Sequence, residues 1–354
     1  MQPLFVQTLT TQFHSEITMK RLNQFAVILA TTLPAGAAFA CASCGCSLNS
    51  DFGTQGLSNT WGWSVDVRYD TLNQNQLRQG TGTISAKDAS VTPNPTSPGN
   101  NSEVEKFTDN KYLTTTIDYN DSYTWGINIA IPYIDRSHST LGVGSDGVTP
   151  DPTSGYDSSA SGIGDVKIIG RYYGFTEKRN FGVQFGLKLP TGNTTQTSTA
   201  ADGVTAIDVD PGLQLGTGTT DAIIGAYYFD NLNQNWDYFV QGQYQSALNS
   251  SNMAAGSYRP GDSVNLTGGL RYHGFESFIA TMQVNARTVE ADSGDAADKY
   301  STGGTLVYFT PGVLVPVSQT VSVYSNLQIP IYQNVNGIQI APATIFSIGL
   351  RVGF

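Results

Sequence analysis

The chain is short of charge. Lys, Arg, Asp and Glu make up 13% of its 354 residues, where a soluble domain carries roughly 25%. The charge present leans acidic, 28 Asp+Glu against 18 Lys+Arg. That speaks against nucleic acid as a partner, because no basic stripe exists to meet phosphates. Long apolar runs are missing beyond residue 40, so no helical membrane span is expected there. Histidine is scarce: only His138 and His273 follow the N-terminal region. His138 sits near Asp135, Ser137 and Ser139, but adjacency in a loop is not triad geometry. No glycine-rich phosphate loop opens a helix, and no paired-histidine motif occurs. No enzyme is expected. Cysteine is absent except at Cys41, Cys44 and Cys46, in the stretch CASCGCSLNSD.

Glycine and tyrosine are plentiful instead, 38 and 18 residues, and 11% of the chain is aromatic. This is a composition for strands and tight turns. Residues 19–40 read as an export address. Lys20 and Arg21 form a basic start, Phe25 to Leu33 an apolar stretch, and Ala38-Phe39-Ala40 a small-x-small cleavage site. Translation then starts at Met19, residues 1–40 are a cleaved signal peptide, and Cys41 opens the mature chain in an oxidising compartment. Ala38 and Phe39 depart from the Leu and Ala or Ser that precede a lipid-anchored cysteine.

Beyond this segment apolar residues alternate with polar or small ones. Phe346, Ile348, Leu350, Val352 and Phe354 oppose Ser347, Gly349, Arg351 and Gly353. Phe181, Val183, Phe185, Leu187 and Leu189 oppose Gly182, Gln184, Gly186 and Lys188. Period two with one apolar face is the pattern of a half-buried strand. About twelve such segments occur, at 62–76, 110–120, 122–134, 164–175, 180–191, 219–231, 236–248, 262–273, 276–290, 303–317, 320–333 and 342–354. Short connections alternate with long ones, the long ones at 77–109, 135–163, 192–218, 249–261, 291–302 and 334–341. Spans of ten to thirteen residues joined by short turns on one side and long loops on the other predict an all-β, transmembrane antiparallel barrel of the outer membrane. Both termini then lie in the periplasm. A secreted β-sandwich would also show regular strands, but usually shorter ones. The expected organisation is a Cys-bearing periplasmic segment over 41–60 and a barrel over 61–354. The terminal SIGLRVGF resembles the C-terminal signal by which such barrels reach their assembly machinery, with Phe354 as its last residue. Membrane lipid is the expected surround, and lipopolysaccharide is expected to meet the acidic loops through divalent cations.

The phrases Ser161-Gly162-Ile163-Gly164-Asp165, Leu189-Pro190-Thr191-Gly192 and Leu215-Gly216-Thr217-Gly218-Thr219-Thr220-Asp221 resemble those of the outer-membrane family named for the MetA pathway of phenol degradation. The likeness covers roughly residues 160–354. It implies a porin-like transporter of a small, often hydrophobic or aromatic solute. The phrases themselves read as barrel rims, with glycines for tight turns.

If the apolar sets face lipid, Arg68, Lys167, Arg171, Lys188, Arg271, Arg287 and Arg351 line the lumen, joined by Asp66, Asp70, Asp118 and Asp165. Such charges either form a wet constriction or pair and fill a small barrel. For the cysteines three readings stand together: a disulfide or redox pair with one odd thiol, a soft-metal site for Cu or Zn, and attachment to a periplasmic partner. Gly45 after C-x-x-C, in place of His, excludes a c-type haem. The main expectation is a channel for a small solute. The alternative is a non-transporting barrel whose cysteine segment binds metal or a redox partner.

Overall fold

The computed structural model describes residues 54–56, 62–92, 103–121, 123–146, 149–199, 204 and 206–354. The segment expected to be a signal peptide, 1–40, and the cysteines lie outside the described residues. Among the described residues eighteen strands follow one another, with one short helix over Ala86–Val91 and one 3-10 turn. The strands are β1 (Gly62–Gly80), β2 (Gly82–Thr83), β3 (Glu103–Asn120), β4 (Trp125–Val143), β5 (Pro150–Asp151), β6 (Asp157–Ile163), β7 (Val166–Tyr172), β8 (Phe181–Leu189), β9 (Thr197–Thr199) and β10 (Ala206–Asp208). Then come β11 (Asp221–Asn231), β12 (Trp236–Ala247), β13 (Ser251–Met253), β14 (Gly256–Tyr258), β15 (Ser263–Tyr272), β16 (Ile279–Val289), β17 (Gly304–Pro316) and β18 (Val321–Gly353).

Eleven of these elements close a ring, β1-β3-β4-β7-β8-β11-β12-β15-β16-β17-β18 and back to β1, every neighbour antiparallel. A ring in which every neighbour is antiparallel must hold an even number of passes. β18 resolves the parity. Its first half pairs with β17, from Ser322 to Val335, and its second half with β1, from Val335 to Gly353. Gln333 Nε2 donates to Pro342 O at 2.7 Å, and Ser325 Oγ to Ser347 O at 3.1 Å. A straight strand cannot bring residues 22 apart together, so β18 doubles back, with Gly337 at φ +47° in the bend. The barrel thus has twelve passes. The stretch 334–341, expected as a long loop, is a strand-to-strand bend.

β4 meets two partners end to end. β7 pairs with Trp125–Ala130 and β6 with Tyr133–Ser139. Gly164 and Asp165 separate β6 from β7, and Gly162 at φ +155° sets the break. The strands around the long connections run further than expected: β3 starts at Glu103, β4 reaches Val143, and β6 lies within the supposed loop 135–163. Here both faces are mainly polar, with only scattered apolar residues such as Val104 and Ala160, so period two carries no sustained apolar signal.

Both ends of the chain's barrel meet. Trp63 N donates to Phe354 O at 3.3 Å and Phe354 N to Trp63 O at 2.9 Å. The short turns lie at this same end. Rings crowd there: Trp63–Tyr119–Trp125, Tyr172–Phe175–Phe181 and Trp236–Tyr272–Phe275, with neighbouring centroids 4.8–5.4 Å apart. Amphipathic rings suit the headgroup level, where an apolar body and a polar edge are both accommodated. Between the ends, Phe185, Leu187, Ile224, Val240, Leu266, Val284, Ile348 and Leu350 are exposed on the outer face. An apolar belt turned outward is stable only against hydrocarbon.

Candidate functional site

The inward face carries polar and charged side chains along its length, with apolar ones between them. On β8, Gln184 and Lys188 are buried while Phe185 and Leu187 stand exposed. On β1, Ser64, Asp66, Arg68 and Asp70 are buried and Val67 and Tyr69 exposed. All seven basic residues named from the sequence lie on this inward register. Arg68, Arg171, Lys188 and Arg271 are buried, and Lys167, Arg287 and Arg351 half-buried.

The structure gathers them into groups. Arg68 Nε meets Asp70 Oδ2 at 2.8 Å, Ser347 Oγ donates to Asp70 Oδ1 at 2.5 Å, and Tyr324 Oη donates to Asp66 Oδ1 at 2.9 Å. Near the short-turn end Arg171 is paired with Asp118, and Arg351 Nη2 lies 3.5 Å from the same carboxylate. Arg171 Nη2 also donates to Asn120 Oδ1 at 2.9 Å. Arg271 Nε lies 2.6 Å from Asp237 Oδ1, over the Phe239 ring at 5.2 Å. His273 Nε2 meets the other oxygen of Asp237 at 2.6 Å.

Towards the long-loop end Lys188 Nζ sits 3.1 Å from both Asp165 and Asp221. Asp165 is the knot of the glycine phrases. Its carboxylate accepts from Gly192 N at 3.0 Å, Thr217 N at 3.0 Å and Thr217 Oγ1 at 3.1 Å. The three phrases singled out in the sequence therefore converge on one carboxylate. Gly192 and Gly216 pack against each other's backbone where a Cβ would fall within 2.8 Å.

Two inward residues escaped sequence reasoning. Arg136 and His138 fall in what was expected as an outer loop, yet both are buried on β4. Arg136 Nη1 donates to the carbonyls of Gly212 and Gln214 at 3.0 and 3.1 Å, holding the 211–215 turn against the barrel wall. His138 Nδ1 lies 2.8 Å from Thr108 Oγ1. Asp135 and Ser137 are exposed on the opposite face, and His273 belongs to the other end of the barrel. No triad assembles from these residues. Asp237 also went unnamed, and Asp221 was read only as part of a barrel rim, although period two places both inward.

One short piece from ahead of the first strand enters the interior. Thr54 and Gln55 are buried, and the Thr54 hydroxyl donates to Gln241 Oε1 on the inward face of β12. Gly56, at φ +72°, lies so close to the Phe229 ring that a Cβ would fall 2.5 Å from it. Cys41, Cys44 and Cys46 are not among the described residues, and among those described no group of His, Cys, Asp and Glu could hold a metal ion.

No protein-family model matches the chain, and no curated protein does. Solved structures match. A crystal structure of an outer membrane channel from Pseudomonas putida F1 superposes with a TM-score of 0.57 at 13% identity, covering 84% of this chain and 97% of that one. The toluene transporter TbuX of Ralstonia pickettii gives 0.46 at 10% identity, over 86% and 92% of the two chains. A monoaromatic hydrocarbon channel, CymD, gives 0.43 at 9%, over 84% and 90%. The first likeness is one of fold, and it agrees with the closed ring, the outward apolar belt and the ring of aromatics: the chain is an integral β-barrel of the bacterial outer membrane.

Proposed function

We propose that the barrel is a channel for passage of a small solute, hydrophobic or aromatic in character, as its resemblance to the MetA-pathway family implies. The observation that carries the reading is the inward face, which carries charged and amide side chains from end to end while the outward face is apolar. A protein needing only an anchor gains nothing from burying so many charged and amide groups, each of which costs desolvation unless paired. Apolar inward residues are interleaved with them, among them Ile223, Tyr227, Phe239 and Leu306, and give an apolar solute surface to slide along. Liposome swelling and single-channel recording test this. Solute-dependent swelling supports it, and closed liposomes with a folded protein overturn it.

A second reading is favoured by Thr54–Gly56. The stretch that follows the cysteines reaches into the barrel, so a cluster of Cys41, Cys44 and Cys46 holding Cu or Zn, or joined to a periplasmic redox partner, would be tied to the barrel's interior. Metal analysis of protein kept reduced tests it, with the triple Cys→Ser variant as blank. Insertion by the assembly machinery through Phe354, and contact of the acidic outer loops with lipopolysaccharide, belong to the same proposal.

A further inference from the structure

Most inward cations have carboxylate partners; Arg136 instead spends its donors on Asn110, Tyr112 and two backbone carbonyls, and Lys167 and Arg287 are left. Among the described residues neither Lys167 nor Arg287 forms an ion pair with a carboxylate. Lys167 Nζ donates to Gln245 Oε1 at 3.1 Å, and Arg287 Nη1 to Asn265 Oδ1 at 3.4 Å. They belong to β7 and β16, five passes apart around the ring and therefore on facing walls. Lys167 reaches Gln245 on β12, and Arg287 reaches Asn265 on β15, the strand next to β12, so the two head groups are held over neighbouring strands.

The hydrogen bonds around them leave donors over. Arg287 Nε is buried without a partner, and so is Nε2 of Gln243, a residue 7% exposed. Gln243 pairs in register with Asn265, and Asn265 with Arg287, so the two idle donors stand on one level of the wall. Gln245, two residues on, is already spent: its Oε1 accepts from Lys167 and its Nε2 donates to Asp221 Oδ2 at 2.6 Å. The amide keeps Lys167 off that carboxylate. Lys188 is spent as well, between Asp165 and Asp221. Three cations against two carboxylates leave this level with one positive charge, and two of its idle buried atoms, Arg287 Nε and Gln243 Nε2, are N–H donors. Buried donors left idle cost free energy unless an acceptor arrives. An acceptor carrying one negative charge answers both deficits at once.

The surroundings narrow its kind. Leu306 stands opposite Arg287 on β17, Ile223 is two residues from Asp221, and Ile169 two from Lys167. All three are buried on the inward face. A strongly hydrated inorganic ion gains nothing from such walls, whereas the body of a small organic acid does. We infer that Lys167, Arg287 and Gln243 form a binding site for the carboxylate of a small apolar acid, on the long-loop side of the Thr54–Gln241 contact. The inference deepens the channel reading by naming the head group its solute carries, and it rests on that reading for the solute's passage.

Binding is measured apart from passage. Benzoate is titrated calorimetrically into the full chain in detergent at fixed ionic strength, with benzyl alcohol as the neutral analogue and chloride as the inorganic anion. Benzoate is expected to bind at least tenfold tighter than either. Lys167→Gln and Arg287→Gln should each weaken benzoate about tenfold or more, the scale of one charge-assisted hydrogen bond, and leave benzyl alcohol unchanged. Lys167→Arg keeps the charge and should keep most of the affinity, which separates loss of the site from loss of the fold. Heat-modifiable migration on gels checks folding of each variant. Equal affinity for benzoate and benzyl alcohol, benzoate binding no tighter than chloride, or folded Gln variants that bind benzoate as the parent does, would overturn the inference. Benzoate binding in a barrel that conducts nothing would uphold the site and sink the channel. Passage of benzoate unaltered in both variants would do the reverse.

Discussion

At the residue scale the register carries the strongest expectation. Leu187 is exposed on the outer face and Lys188 is buried on the inner one. Placing Arg at a lipid-facing position near the bilayer midplane costs about 2–4 kcal/mol, so Leu187→Arg should lower the urea midpoint of unfolding accordingly. Lys188→Gln would be mild if Lys188 faced an open, wet lumen. The structure makes it severe. Lys188 stands between Asp165 and Asp221, and removing it leaves two buried carboxylates facing each other, a loss of about 3–5 kcal/mol for a broken buried pair. Adding Asp221→Asn to Lys188→Gln should recover part of that loss in the same titration. A double variant no more stable than the single one would mean the triad does not hold these strands. Inward placement was legible because the alternation has a fixed period; the partners were not, because a carboxylate from β6–β7 meets a lysine of β8 only once the strands are registered. Arg136 and His138 were missed for another reason. In DRSHST both faces are polar, so the sequence offers no apolar set to count from.

At the element scale the twelve segments read from alternation are the twelve passes, while their outer ends were not legible. Apolar alternation stops where lipid stops, but the hydrogen-bonded ladder of β3, β4 and β6 continues above it. The bend inside β18 illustrates the limit. The polar and glycine residues of 334–341 looked like a loop, and the loop is a bend with strand on both sides. Gly337 makes the bend: its φ is +47° and a Cβ would fall 2.6 Å from the Tyr300 carbonyl oxygen. A left-handed conformation costs a branched residue about 1–2 kcal/mol before any clash. Gly337→Val should therefore reduce the folded, heat-modifiable fraction, and Gly268→Ala, where a Cβ meets nothing within 4 Å, should not. Similar folded yields from the two variants would show that β18 does not need this bend.

At the scale of the whole molecule the question is what a solute meets between the two ends of the barrel. The described part of the N-terminal region lies on the inner face, not beside the barrel. Thr54 bonds Gln241 at mid-wall, and Gly56 presses on Phe229 one strand away. A segment held there narrows the route, and a narrow route lowers conductance by displacing water and ions from the section it fills. Gly56→Val is the sharpest way to dislodge it, because φ +72° disfavours a branched side chain and the ring leaves no room for one. Gly56→Val, like deletion of residues 41–56, should raise single-channel conductance several-fold while the barrel still migrates as folded. Gln241→Leu, which removes only the hydrogen bond, should give a smaller rise and noisier current, since one neutral hydrogen bond is worth only about 0.5–1.5 kcal/mol. If all three variants conduct as the parent does, Thr54–Gly56 lies aside from the conducting route, and the resistance of the channel has to be sought at the paired charges of the inward face.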